Sequence, residues 1–115
     1  MGSRRLPDDV RGVLLAYRRA LDQALGDGVA SVRLYGSRAR GEARPDSDID
    51  VVVVLRAPTE AERARAIDLA WETWRGAAPD GPPLSPLVWS EEDEADRLSR
   101  ERRIALDIQQ EGIPV

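Results

Sequence analysis

The chain has 115 residues, a formal net charge of −4, 42% hydrophobic and only 4% aromatic residues, and neither cysteine nor histidine. That length suits one domain, residues 1–115, with one mostly aliphatic core. The missing residue types exclude disulfide staples, thiolate nucleophiles, Cys- or His-built zinc sites and Ser-His-Asp chemistry, so any metal chemistry is oxygen-ligand chemistry of magnesium, manganese or calcium. The acidic balance argues against direct nucleic-acid binding through a broad basic face. No apolar run approaches the roughly 20 residues that span a membrane. Arg4, Arg5, Asp8 and Asp9 break any signal-peptide core at the start. A cytoplasmic protein with no membrane association is the expectation.

In chain order, residues 7–25 predict a helix. Pro7 suits its first turn, Asp8 and Asp9 its positive end, and Val10, Val13, Leu14, Tyr17, Leu21 and Leu25 form one apolar stripe. Gly26-Asp27-Gly28 stops it. Val29–Tyr35 alternates, with Val32 and Leu34 on one side and Ser31, Arg33 and Tyr35 on the other, as a strand does. Ser37–Ala43 reads as a short helix and Pro45-Asp46 as a turn. Ile49–Leu55 is so uniformly aliphatic that it predicts a central strand buried on both faces.

Thr59-Glu60-Ala61-Glu62 is a capping box. Its helix is expected to pack Ala64, Ile67, Trp71 and Trp74 on one face and to end near Gly76. Leu84–Trp89 predicts a third strand, placed at an edge by Pro86. Ser90-Glu91-Glu92-Asp93 is a second capping signal, opening one charged helix with Leu98, Ile104, Ala105 and Ile108. Gly112–Val115 is a tail with room for a short strand. This order predicts an α/β (α+β) fold, a small sheet with helices packed on it.

The chemistry concentrates in the middle of the chain. Asp48 and Asp50 are two apart at a strand, so both carboxylates leave one face and can share a divalent cation with substrate phosphates. By itself an Asp-x-Asp more often just starts a strand. Gly36-Ser37 lies ten residues upstream, where a strand gives way to a helix. Free backbone N–H groups there can receive phosphate oxygens, glycine permits close approach and the Ser37 hydroxyl adds a donor. A serine-capped glycine turn is also frequent alone; the two halves at this spacing are much less frequent together.

The run Gly36-Ser37-Arg38-Ala39-Arg40-Gly41-Glu42-Ala43, followed by Ser47-Asp48-Ile49-Asp50, resembles the signature of the minimal nucleotidyltransferases of the DNA polymerase β-like superfamily. The resemblance implies a small mixed sheet flanked by helices. It implies Gly36 and Ser37 on the β and γ phosphates of ATP, Asp48 and Asp50 on Mg2+ (or Mn2+), and attack of a hydroxyl on the α-phosphate. Minimal members are commonly antitoxins of HEPN/MNT pairs, in which AMP passes from ATP to a tyrosine of a HEPN-domain toxin. The implied function is a type VII-like antitoxin that adenylylates its toxin within a hetero-oligomer. One departure stands out. Many active relatives carry a third carboxylate on a later strand, whereas Ser85 or Leu87 falls there in this chain, with Asp80 before the strand and Glu91 after it. The absence points to weak activity, dependence on a partner's group, or neutralisation by binding alone. The chain ends soon after the third strand and its helix, so the acceptor is expected as a separate molecule; transfer to a small molecule such as an aminoglycoside is the remaining alternative.

Arg38 and Arg40 flank the phosphate turn and are candidate triphosphate or acceptor contacts, or else ion-pair partners of Glu42, Asp46 or Asp48. Arg97, Arg100, Arg102 and Arg103 read as a solvated helix face balanced by nearby acids, or less simply as contacts for an acidic partner. Trp71, Trp74 and Trp89 read as core. The alternatives are a partner-facing role for the first two and base stacking for Trp89.

Overall fold

The computed structural model describes residues 5–115; Arg4, part of the N-terminal reading above, lies outside them. Helix α1 (Asp8–Leu25) follows Pro7, with Asp8 and Asp9 in its first turn. Val10, Val13, Leu14, Tyr17 and Leu21 are buried, as the stripe predicts. Gly26 takes a φ of 53°, which glycine adopts freely, and a single 3-10 turn (Gly26–Gly28) leads into β1 (Val29–Leu34). One turn of helix, α2 (Ser37–Arg40), separates β1 from β2 (Ile49–Leu55). Helix α3 (Glu60–Ala77), strand β3 (Leu84–Ser90), helices α4 (Glu91–Ser99) and α5 (Arg103–Glu111), and strand β4 (Ile113–Pro114) complete the order.

The sheet runs β3-β2-β1-β4. β1 pairs antiparallel with both β2 and β4, and β2 pairs parallel with β3, so the sheet is mixed. β2 is central, as its composition predicts. Val51, Val53 and Leu55 join Ile49 in packing against α1 and α3. Val52 and Val54 pack on the other face against Trp89, Ala105 and Ile108, beside α4 and α5. Pro86 sits in the edge strand β3, where its missing N–H is tolerated. The fold is therefore a four-stranded mixed sheet with helices on both faces.

Both capping boxes form. Thr59 accepts from the Glu62 N–H while Glu62 accepts from the Thr59 N–H, and Ser90 and Asp93 make the same reciprocal pair. The Ser90 N–H is the main reason the Asp93 carboxyl lies below its usual range, with the Arg63 guanidinium helping.

Three expectations are corrected. The buried face of α3 is Ala66, Leu69 and Ala70, while Ile67 and Trp71 are 42% and 49% exposed. Small residues win because α3 lies close to α1: the Tyr17 hydroxyl donates to the Ala66 carbonyl at 2.7 Å. Trp74 is half-buried and donates its indole N–H to Gly81 O at 3.0 Å, with Trp71 edge-on to it at 5.7 Å. Next, the charged C-terminal helix is two helices, broken at Arg100–Arg102 with Glu101 at φ 52°. A straight helix over 91–111 would run about 31 Å, past seven-residue strands of about 23 Å. The break lets Leu98, Ala105 and Ile108 all meet the sheet and returns β4 to β1. Finally, the short helix expected over Ser37–Ala43 stops at Arg40, because Gly41 turns left-handed at φ 75°.

Trp89 is core, covered by the Arg97 guanidinium at 4.8 Å from the ring centroid. Arg97, Arg100 and Arg103 pair along their own helices with Asp93, Asp96 and Asp107, as on a solvated face. Among the described residues, no helix is long and apolar enough to cross a membrane.

Tyr17 is fully buried, and burial pushes its phenol far above the usual range, so it acts as a neutral donor. Tyr17→Phe removes the one side-chain hydrogen bond from α1 to α3 among those described. The expected loss is about 1 kcal/mol, seen as a lower urea midpoint with an unchanged slope.

Candidate nucleotide and metal site

The site begins where β1 ends. The ladder continues one residue beyond β1, because the Tyr35 N–H donates to the Asp50 carbonyl at 3.0 Å. That rung seats Gly36 against Asp50. Gly36 has φ 76° and ψ −154°, a combination open essentially to glycine alone. A Cβ added there would lie 2.7 Å from Asp50 Oδ2. Glycine is therefore required twice, by its dihedral angles and by the carboxylate it faces. The glycine turn and the aspartate strand touch.

Ser37 opens α2, which is one turn long, so the first-turn N–H groups of Ser37, Arg38 and Ala39 have no partner four residues back. So short a helix has little macrodipole. Any grip on an anion there comes from local N–H groups and the Ser37 hydroxyl.

Asp50 is half-buried in β2, on the face that also carries Val52 and Val54; Asp48 is exposed and immediately precedes the strand. Burial raises the Asp50 carboxyl above its usual range, the Asp48 charge raises it further, and Arg38 and Arg40 pull it back. Two carboxylates that repel suit a hard divalent cation, which would relieve the repulsion while sharing phosphate oxygens. Among the described residues no group of three or more acidic side chains is placed to hold an ion. The register sets Ser85 beside Asp50 and Leu87 beside Val52, and Leu87 packs in the apolar cluster. β3 thus brings no carboxylate to the pair.

The two arginines occupy different environments. Arg38 is buried, and its guanidinium reaches Asp9 and the carbonyls of Arg44, Pro45 and Ser47. Arg40 is exposed and pairs with Glu42 at 3.0 Å and Glu111 at 3.4 Å. The expected Glu42 pair is present; Asp46 and Asp48 do not appear among the described ion pairs of either arginine.

Two nearby residues escaped the sequence reading. Tyr35 is half-buried, and its phenol is raised first by burial and then by the Asp50 charge; its place just before Gly36 was a usable signal. Glu111 had none. It comes within reach of Arg40 only because β4 pairs Pro114 with Arg33 and Ile113 with Leu34.

The glycine turn thus faces the Asp50 carboxylate of the neighbouring strand. Residues 16–108 match the family model described as nucleotidyltransferase domain, and the chain belongs to that family. It is 38% identical over 64 residues to the bifunctional uridylyltransferase/uridylyl-removing enzyme of Bordetella pertussis, covering 49% of this chain and 7% of that enzyme. It is 35% identical over 46 residues to the protein adenylyltransferase MntA of Thermococcus cleftensis, covering 40% of this chain and 44% of that protein. The matches thus span less than half the length of either curated relative. A crystal structure of a presumed nucleotidyltransferase from Sulfolobus solfataricus aligns over 84% of each chain at 22% identity and a TM-score of 0.41.

Gly36→Ala is expected to cost about 1–3 kcal/mol in urea denaturation, and Gly36→Ala/Asp50→Gly to recover only the part due to the clash. Asp50 itself gives a pH signature. Its raised carboxyl holds a proton more tightly in the folded chain than in the unfolded one. The ionised form therefore weakens the fold as pH rises through the folded-state value. In metal-free buffer, Asp50→Asn should denature at higher urea than the wild type at pH 7. The gap should close as pH falls below the ordinary carboxylate range.

Proposed function

We propose that this chain is a magnesium-dependent nucleotidyltransferase that moves AMP from ATP to a tyrosine hydroxyl of a HEPN-domain toxin, and so acts as a cytoplasmic antitoxin within a hetero-oligomer. The observation that carries the reading is the close approach of Gly36 to the Asp50 carboxylate, which supports a turn that accepts phosphate beside the aspartates. Membership of the nucleotidyltransferase family supports the reaction class, and the similarity to a protein adenylyltransferase supports a protein acceptor.

Gly36 leaves room for the Asp50 carboxylate to approach the turn, and the Ser37 hydroxyl and first-turn N–H groups would donate to phosphate oxygens. Asp48 and Asp50 would hold Mg2+ or Mn2+, which supplies charge neutralisation at the triphosphate when bound. Exposed Arg40 can exchange a solvent-screened glutamate for phosphate. The acceptor oxygen bonds to the α-phosphorus, the bond to the leaving diphosphate breaks, and the hydroxyl proton passes to solvent. Positioning and charge compensation supply most of the catalysis.

A second reading has its own observation. β3 sets Ser85 and Leu87, not a carboxylate, beside the aspartate strand. That favours a protein that neutralises its toxin by binding, with little or no transfer.

Incubation with ATP, Mg2+ and the product of the neighbouring gene, followed by intact-mass measurement, separates the readings. Catalysis predicts one added adenylyl group on the neighbour, with a rate reduced on the order of 100-fold or more in Asp48→Asn and Asp50→Asn. Neutralisation without a mass change, equal in both variants, would sink the enzyme and leave the binder. Label appearing on an aminoglycoside but not on protein would instead place the acceptor among small molecules.

A further inference from the structure

We propose that Arg38 is a positioning residue for Asp48, a clamp on the loop that delivers this carboxylate, and not a contact for the nucleotide. The inference rests on the reading of Asp48 and Asp50 as cation ligands.

The side chain of Arg38 is only 5% exposed. A guanidinium in that setting must have its donors occupied. Nε and Nη2 both donate to Ser47 O, at 3.3 and 2.6 Å, and Nη2 also lies 3.4 Å from the carbonyls of Arg44 and Pro45. Nη1 donates to Asp9 Oδ2 at 3.1 Å. The fork therefore grips the loop on one side and the first turn of α1 on the other, with little left for a phosphate.

What it grips is the approach to Asp48. The loop makes its own small turn, with Ser47 N–H donating to Arg44 O and Arg44 N–H to Ser47 Oγ, both at 3.0 Å. On the far side of Asp48, the Ile49 N–H donates to Pro83 O at 2.9 Å. Asp48 thus hangs between two anchored peptide groups: Arg38 holds the carbonyl before it and Pro83 holds the N–H after it. Asp50 does not need the clamp, because the ladder to Tyr35 and the register with β3 fix it. A lysine at 38 would keep the charge but could not span Asp9 and Ser47 together.

The test is a Mn2+ titration with ATP, with free Mn2+ read by electron paramagnetic resonance, on the wild type, Arg38→Lys, Asp48→Asn and Asp50→Asn. Arg38→Lys should raise the half-saturating Mn2+ concentration about tenfold, towards the Asp48→Asn value. ATP binding without metal should stay within about twofold of wild type, since a phosphate contact would weaken it. Unchanged Mn2+ binding overturns the proposal, as does an equal loss of metal-free ATP binding. Amide exchange in the metal-free protein is the second readout: Arg44 and Ser47 should exchange faster in Arg38→Lys while Tyr35 does not change, and unchanged exchange at the first two overturns the clamp. Should Arg38→Lys not fold, Asp9→Ala carries the same exchange test, because the Asp9 side chain is 69% exposed and outside the core. If neither the wild type nor Asp50→Asn responds to Mn2+, the nucleotidyl-transfer reading fails, and the exchange at Arg44 and Ser47 still decides the clamp.

Discussion

The pairing of β1 with β2 runs one rung past the end of β1, and the site depends on that rung. Tyr35 donates to Asp50, so the chain must leave the sheet directly beside the Asp50 carboxylate. Only a residue without a side chain can make that turn, and Gly36 is there. The turn and the carboxylate cannot be positioned independently. A register slip of one residue would carry Asp50 to the face packed against α1 and α3 and put Val51 at the site. The aliphatic run that follows prevents such a slip, because its two faces fill two separate apolar clusters.

β2 therefore combines opposite demands along one strand. Val51 to Leu55 are all buried, each contributing on the order of 1.5–3 kcal/mol. Asp50, at the start of the strand, carries a charge that burial and Asp48 both disfavour. The cost is tolerable because it falls where the core ends. Repulsion between Asp48 and Asp50, only partly offset by Arg38 and Arg40, fits a pair arranged for an external cation. A structural aspartate here would more simply have been paired, as Asp93 is by Ser90 and Arg63.

Where local chemistry decided the outcome, the sequence was legible. The stripe of α1, the wholly apolar β2, the edge position of β3 from Pro86 and both capping boxes follow from spacing and residue type. So does the meeting of Gly36-Ser37 with the Asp50 strand. The failures are tertiary. On α3, the expected face carrying Ile67 and Trp71 gave way to Ala66, Leu69 and Ala70, where Tyr17 closely approaches the Ala66 carbonyl. The break at Glu101 has no glycine or proline to announce it; it follows from the length of the sheet and the return of β4. The burial of Arg38 was equally hidden, since Asp9 lies 29 residues away and the other acceptors are backbone carbonyls.

Those last contacts explain how a single turn of helix keeps its place at all. A four-residue helix does not hold its own shape in water, and α2 is held from both ends of the chain. Arg38 ties it to Asp9 at the start of α1, and Arg40 ties it to Glu111 at the end of α5. The ties differ in kind. The Arg38 guanidinium is buried and spread over a carboxylate and three carbonyls, so releasing it would strand a charge among unpaired groups. Arg40 and Glu42 face water, which already screens them, so replacing that carboxylate with another anion costs little. A paired motif of two arginines thus divides into a buried element that holds the turn and an exposed one held only by ion pairs. The structural difference between them is which side of α2 the core lies on.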